Sequence, residues 1–259
     1  MSEETTSEVL LSIEDGLAVI TLNAPARYNA ITVPMARELT AAVAQVEADP
    51  SVACLVLRGE GKAFCSGGDL DTLADAGLDP ALPERYDALG TIYESFVSVG
   101  RVGVPTIAAV QGAVVGAGLN LVMATDVRIM AENARLICGF LKRGLHPGGG
   151  HFMLLERLVG REAAAAMGLF GEEVSGTEAK RLGLAWDALP ADEILDRAMT
   201  LARRIAGDPE LARATVATFR RELAQTGMPW DVALQVERPV QMWSMRRLSS
   251  RAAAAGEEA

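Results

Sequence analysis

Cysteine, histidine and aromatic residues are scarce in this chain of 259 residues: three Cys, two His and 5% Phe, Trp and Tyr. Cys54, Cys65 and Cys138 are an odd number in apolar settings, which argues against a disulfide scaffold. No apolar run approaches the roughly 18 residues that a membrane helix needs. Basic charge is short as well. The 24 Lys and Arg stand against 34 Asp and Glu, and a net charge of −10 argues against a broad nucleic-acid surface, so an anionic ligand must meet a local basic cluster. The opening MSEETTSEVLL lacks the basic and apolar regions of a secretory signal, which predicts a cytoplasmic protein. What is present is an ordinary globular mixture, 50% hydrophobic and 22% charged. A chain of this length buries about 70 to 75% of its unfolded surface, enough for one large core or a core with a smaller lobe.

Residues 8–22 hold two apolar, β-branched runs around Glu14-Asp15-Gly16 and predict a β-hairpin. Met35, Leu39, Val43 and Val46 fall at helical spacing between Val33 and Asp49, where Pro50 stops the pattern. A strand over Ala53–Leu57, a loop over 71–85, a helix over Arg85–Val99 and a strand over Pro105–Val110 follow. Leu119–Thr125 reads as a helix opened by Gly112, Gly116 and Gly118, and Val127–Met130 as a strand. This alternation indicates α/β units with crossovers, whereas the chain from Ala191 onward is Ala-, Arg- and Glu-rich and helical, fraying over Arg251–Ala259.

Two strand-to-helix turns carry candidate chemistry. In Ala63-Phe64-Cys65-Ser66-Gly67-Gly68-Asp69-Leu70 the paired glycines let the backbone approach a ligand, and free amides at such a turn stabilise an oxyanion. The second, Gly112-Ala113-Val114-Val115-Gly116-Ala117-Gly118-Leu119-Asn120, lacks the third glycine of a dinucleotide fingerprint, and no GK[ST] occurs for a phosphate loop. Taken alone, the first turn reads better as a glycine-rich strand-to-helix connection, and the second is a weak pattern. Together, some fifty residues apart, they supply the two donors an oxyanion hole requires.

From Val19 to about Pro190 the chain resembles the crotonase superfamily, the enoyl-CoA hydratase/isomerase family. The likeness rests on both turns, on Leu22-Asn23-Ala24-Pro25 with Asn29-Ala30, and on Pro105-Thr106-Ile107 leading into the second turn with Asp126 after it. It rests also on Gly144-Leu145-His146-Pro147-Gly148-Gly149-Gly150 and on the segment from Gly171 to Leu184. The resemblance implies an α/β fold, a crotonase-like ββα spiral core over 1–195 with a helical C-terminal trimerisation region over 196–259, and homotrimers or hexamers. It also implies an acyl-CoA thioester as ligand, with coenzyme A entering as part of the substrate and no separate cofactor. By motif position the amides of Ser66 and Ala117 form the oxyanion hole. Ala26, Arg27, Ala30, Lys62, Ala63, Ser66, Gly67, Gly68, Asp69, Leu70, Gly116, Ala117 and Phe140 are the residues expected around the thioester and its nucleotide; Arg246, Arg247 and Arg251 are further cations for the phosphates.

The departures bear on the reaction. Hydratases of the family use two glutamates across the double bond, and here those positions hold Asn120 and Phe140, neither of which has a proton to exchange near neutral pH. The aspartate that other branches carry at position 147 or 148 is absent too, replaced by Pro147 and Gly148. His146 is the remaining candidate base, and its alternative is a hydrogen-bonded loop residue. His146 and His151 span a glycine run with no adjacent carboxylate, so no metal site is expected. Lys142 and Arg143 are candidate ligand contacts or solvated charges, and Cys65 and Cys138 read as small buried residues. The leading expectation is a hydratase/isomerase-type enzyme, a lyase or isomerase, with a divergent acid/base set. The alternative is a non-catalytic acyl-CoA-binding protein; a thioester hydrolase built on Ser66, a histidine and Asp69 ranks third because Ser66 lacks the Gly-x-Ser-x-Gly context.

Overall fold

Asp15 and Gly16 both take positive φ, 50° and 78°, the backbone that a two-residue hairpin demands, and join β1 (Val9–Glu14) to β2 (Leu17–Leu22). The structure is a computed structural model that describes residues 7–79, 82–223 and 229–257. The expected hairpin is present, in antiparallel register from Val9 opposite Leu22 to Glu14 opposite Leu17. α1 (Val33–Ala48) follows, its first turn closed by the Thr32 hydroxyl, which accepts from the Met35 N–H at 3.2 Å. It buries Met35, Leu39, Val43 and Val46, the four positions whose spacing predicts it.

The chain then repeats one unit. β3 (Cys54–Gly59) and β4 (Ala63–Cys65) lead into α2 (Leu70–Leu78) and α3 (Pro83–Arg101). β5 (Thr106–Val110) and β6 (Ala113–Val115) lead into α4 (Ala117–Met123), and β7 (Val127–Ala131) and β8 (Arg135–Ile137) into α5 (His151–Gly168). In every unit the first strand joins one sheet and the second joins another. β9 (Val174–Ser175), α6 (Gly176–Arg181) and β10 (Asp187–Leu189) complete the core, giving sheets ordered β1-β2-β3-β5-β7-β10 and β4-β6-β8-β9. Apart from β1 with β2 and β8 with β9, the pairs are parallel, as successive ββα turns of one spiral must be. Both faces of the larger sheet are covered, which is why β3 and β5 read as continuous apolar runs.

One expectation fails. Residues 71–85 were to form a loop, but α2 occupies Leu70–Leu78. Asp69 caps it, its carboxylate accepting from the Thr72 N–H at 3.0 Å and the Thr72 hydroxyl at 2.9 Å. The helix also has a partner far along the chain. After α7 (Ile194–Arg203) and α8 (Pro209–Leu223), α9 (Trp230–Glu257) runs back over the core. It lies so close that a Cβ on Gly77 would stand 2.7 Å from the Met245 carbonyl. The predicted fraying over Arg251–Ala259 is likewise confined: α9 continues to Glu257, and Glu258 and Ala259 lie outside the described residues.

Candidate active site

Parallel pairing of β4 with β6, Cys65 opposite Val114, makes the two glycine turns leave the small sheet side by side. Gly67 sits at φ +102°, and a Cβ there would lie 2.8 Å from the Val115 carbonyl and 3.8 Å from the Ala117 nitrogen. Gly118 backs onto the first turn, 2.6 Å from the Cys65 carbonyl by the same measure. Side chains at either position would force the turns apart, so the glycines keep the backbone of Ser66–Gly67 against that of Gly116–Ala117. Ala117 opens α4 ahead of the helix's first bond, from the Asn120 N–H to the Gly116 carbonyl at 3.1 Å. The Ser66 N–H donates to the Tyr28 carbonyl at 2.9 Å.

Tyr28 is held there by Asn29, a fully buried residue at φ 55°. Its Oδ1 accepts from the Ala24 N–H at 2.8 Å, while its Nδ2 donates to the Glu60 and Ala63 carbonyls, both at 2.9 Å. This side chain therefore fastens the Asn23–Ala30 segment to the first glycine turn. Asp126, quoted in the same family pattern, is also structural. It accepts from the Thr106 N–H at 2.8 Å and pairs with Arg220 of α8 at 2.6 Å.

A cavity of about 500 Å³ opens over the turns. Of the residues that the sequence singles out, Arg27, Ala30, Ser66, Gly67, Gly68, Asp69, Leu70, Gly116, Ala117, Asn120, Phe140 and Arg143 line it. Leu89, Ile92, Tyr93 and Phe96 of α3 form an apolar wall, and Gln241 reaches in from α9, accepting from the Tyr93 hydroxyl. Ala26, Lys62, Ala63, Lys142 and His146 are not among the lining residues. His146 Nδ1 lies 2.6 Å from the Pro147 carbonyl, and its ring meets the edge of Phe152, a placement that gives no support to the expected role of base. Arg27 is committed to Glu8, Nη1 to Oε1 at 2.5 Å and Nη2 to Oε2 at 2.6 Å; this pairing holds the Glu8 carboxyl below the usual range. Arg246 donates to the Leu78 carbonyl and Arg247 covers the Trp243 ring, so neither is a lining residue.

Sequence reasoning missed the polar floor. His151, fully buried at the start of α5, places Nδ1 2.6 Å from Asn120 Oδ1 and Nε2 3.1 Å from Cys138 Sγ. Asn120 donates its other end to the Gly148 carbonyl at 2.8 Å, and Phe140 meets the His151 ring edge-on at 4.9 Å. Desolvation drives the His151 pKa down to about 3 and the Cys138 thiol up to about 12, so both are neutral. Beneath them the Glu237 carboxylate of α9 accepts from the Gly150, His151 and Phe152 N–H groups at 2.7, 2.9 and 3.2 Å. No local pattern ties Asn120 to a histidine 31 residues later, nor Tyr93 to Gln241 148 residues later. Among the described residues no group of three or more His, Cys, Asp or Glu could hold a metal ion, and no helix is long and apolar enough to cross a membrane.

A family model described as enoyl-CoA hydratase/isomerase matches residues 12–238. A "Probable enoyl-CoA hydratase" of Mycobacterium tuberculosis is 45% identical over 213 residues, 82% of this chain and 81% of the relative. The 1,2-epoxyphenylacetyl-CoA isomerase of Escherichia coli is 34% identical over 206 residues, 78% of this chain and 77% of the relative. Among solved structures, an enoyl-CoA hydratase/isomerase from Xanthobacter autotrophicus Py2 superposes with a TM-score of 0.83 at 31% identity, covering 97% of both chains.

Proposed function

Because the chain belongs to the enoyl-CoA hydratase/isomerase family, we propose that its cavity binds an acyl-CoA or enoyl-CoA thioester and stabilises negative charge on the thioester oxygen. The observation that carries this reading is the close approach of the two turns, where a Cβ on Gly67 would stand 2.8 Å from the Val115 carbonyl. The thioester oxygen accepts from the Ala117 N–H and from an amide of the first glycine turn; the Ser66 N–H, which motif position assigns to this role, is engaged with the Tyr28 carbonyl at 2.9 Å. The apolar wall of α3 and Phe140 receives the acyl group, and the coenzyme A portion is part of the substrate, with no further cofactor. Assembly into trimers or hexamers belongs to the same reading, with exposed Phe170 and Trp186 as apolar surface for it.

Neither Asn120 nor Phe140 can act as a general acid or base near neutral pH, so the two-carboxylate hydration of the double bond is not the reaction proposed. They also favour the second reading, an acyl-CoA-binding protein without turnover. Turnover by wild type separates the two, and Ala117→Pro tests the amide's part in it, because it deletes one donor at a first helical position that tolerates proline. For an enzyme, turnover of its thioester falls about 10²- to 10³-fold while affinity changes little. An unchanged rate would remove the Ala117 amide from the mechanism.

A further inference from the structure

We propose that Cys138 is a nucleophile toward the thioester carbonyl, activated through His151 and Asn120, so that the protein can carry the acyl group covalently; this rests on the thioester-binding reading above. The hydrogen bonds fix the direction of the relay. The Gly148 carbonyl only accepts, so the Asn120 atom 2.8 Å from it is the amide nitrogen, and Oδ1 is the atom that faces His151. An amide oxygen also only accepts, so the proton of the neutral imidazole lies on Nδ1. Nε2 is left with a lone pair 3.1 Å from Cys138 Sγ, and the thiol hydrogen is directed at it. Thiol, imidazole and side-chain amide in this order form a nucleophile, a base and the group that orients the base.

Position favours the same role. The Ile137 carbonyl accepts from the Gly116 N–H at 3.0 Å, which sets Cys138 beside the turn whose next amide is that of Ala117. Cys138, Asn120 and Ala117 line one cavity. A cysteine buried only as a small apolar group would need no imidazole lone pair opposite its sulfur. Burial keeps both partners neutral at rest, so no thiolate is stored: the proton leaves sulfur only as the new bond forms, and the free thiol is slow toward iodoacetamide.

The step balances without a co-reactant. Sγ bonds to the carbonyl carbon, its proton passes to His151 Nε2, and the oxygen becomes the oxyanion held by the amides. The carbon–sulfur bond to coenzyme A then breaks, and the departing sulfur takes the proton back from Nε2. The products are S-acyl-Cys138 and free coenzyme A, one thioester exchanged for another.

Butyryl-CoA is the probe, because it has no double bond to which a thiol can add. Acid-quenched protein mass, peptide mapping and free-thiol release are measured for wild type, Cys138→Ala and Cys54→Ala, with binding followed by calorimetry. The expected result is an acyl group on Cys138 in wild type and Cys54→Ala, with release of coenzyme A, and loss of both adduct and release in Cys138→Ala at an affinity within about twofold of wild type. Butyryl-CoA bound by wild type with neither adduct nor release overturns the inference alone. An adduct that survives Cys138→Ala overturns it too. With crotonyl-CoA, an adduct on Cys138 that retains the whole coenzyme A portion shows conjugate addition and overturns attack at the carbonyl. A wild type that binds no acyl-CoA overturns the functional reading and this inference with it.

Discussion

His151 carries no charge in the folded chain, and that fact has a measurable consequence. Burial lowers its pKa from 6.5 to about 3, so between these values the unfolded chain holds a proton that the native one does not. Stability is therefore lost as pH falls below about 6.5, roughly 2 kcal/mol of it by pH 5. Glu237 works with the opposite sign, since burial raises its carboxyl pKa and its contribution is lost as pH rises. Urea unfolding at pH 7 and pH 5 in wild type and His151→Gln isolates the histidine: the variant's loss should be smaller by about 2 kcal/mol. Equal losses would show that His151 titrates normally in the folded protein. At this scale the sequence was only partly legible. The glycines and their amides are local features and can be read from a motif, whereas His151 acquires its meaning from Asn120 and Cys138, which lie 31 and 13 residues away.

Helix α5 begins over the cavity, and the side chain that fixes its start comes from α9. Three consecutive N–H groups, of Gly150, His151 and Phe152, converge on the Glu237 carboxylate. Glu237→Ala leaves them without this partner in a buried site, and we expect a loss of about 3 kcal/mol in urea unfolding, with Glu237→Gln recovering part of it. A loss under about 0.5 kcal/mol would mean that water replaces the carboxylate at no cost. The ion pair of Arg220 with Asp126 at 2.6 Å ties the end of α8 to the core, beside the bonds of Arg220 to the Val102 and Val104 carbonyls, and Asp126→Ala should lower stability by about 2 to 4 kcal/mol in the same assay. α2 shows why one element escaped the sequence reading. Its Asp69 cap and Leu70 were visible, but Gly77 and the prolines around 80–83 argue for a loop, and the closeness to Met245 that makes Gly77 fitting depends on a helix some 170 residues away.

For the molecule as a whole, α9 makes the cavity a joint product of the core and the C-terminal helices. Gln241 meets Tyr93, Trp230 donates to the Gly149 carbonyl at 3.0 Å, and Arg238 lies over the Tyr86 and Tyr93 rings. The alternation of longer strands and helices was legible from their periodicity, whereas the ββα order came from the family resemblance, because β4, β6 and β8 are three residues each and too short to show a period. The closure by α9 was not, because that helix shows its neighbours only as a pattern of buried positions, Ala233, Leu234, Glu237, Gln241, Met242, Ser244 and Met245. The central claim is that this cavity activates an acyl-CoA thioester through the amides of its two glycine turns. Mass spectrometry of acyl- and enoyl-CoA thioesters incubated with the protein in D₂O tests it most directly. The account predicts, for at least one thioester, either a new product or deuterium at the α-carbon, in both cases lost in Ala117→Pro. Thioesters that bind yet return unchanged and free of deuterium would contradict it.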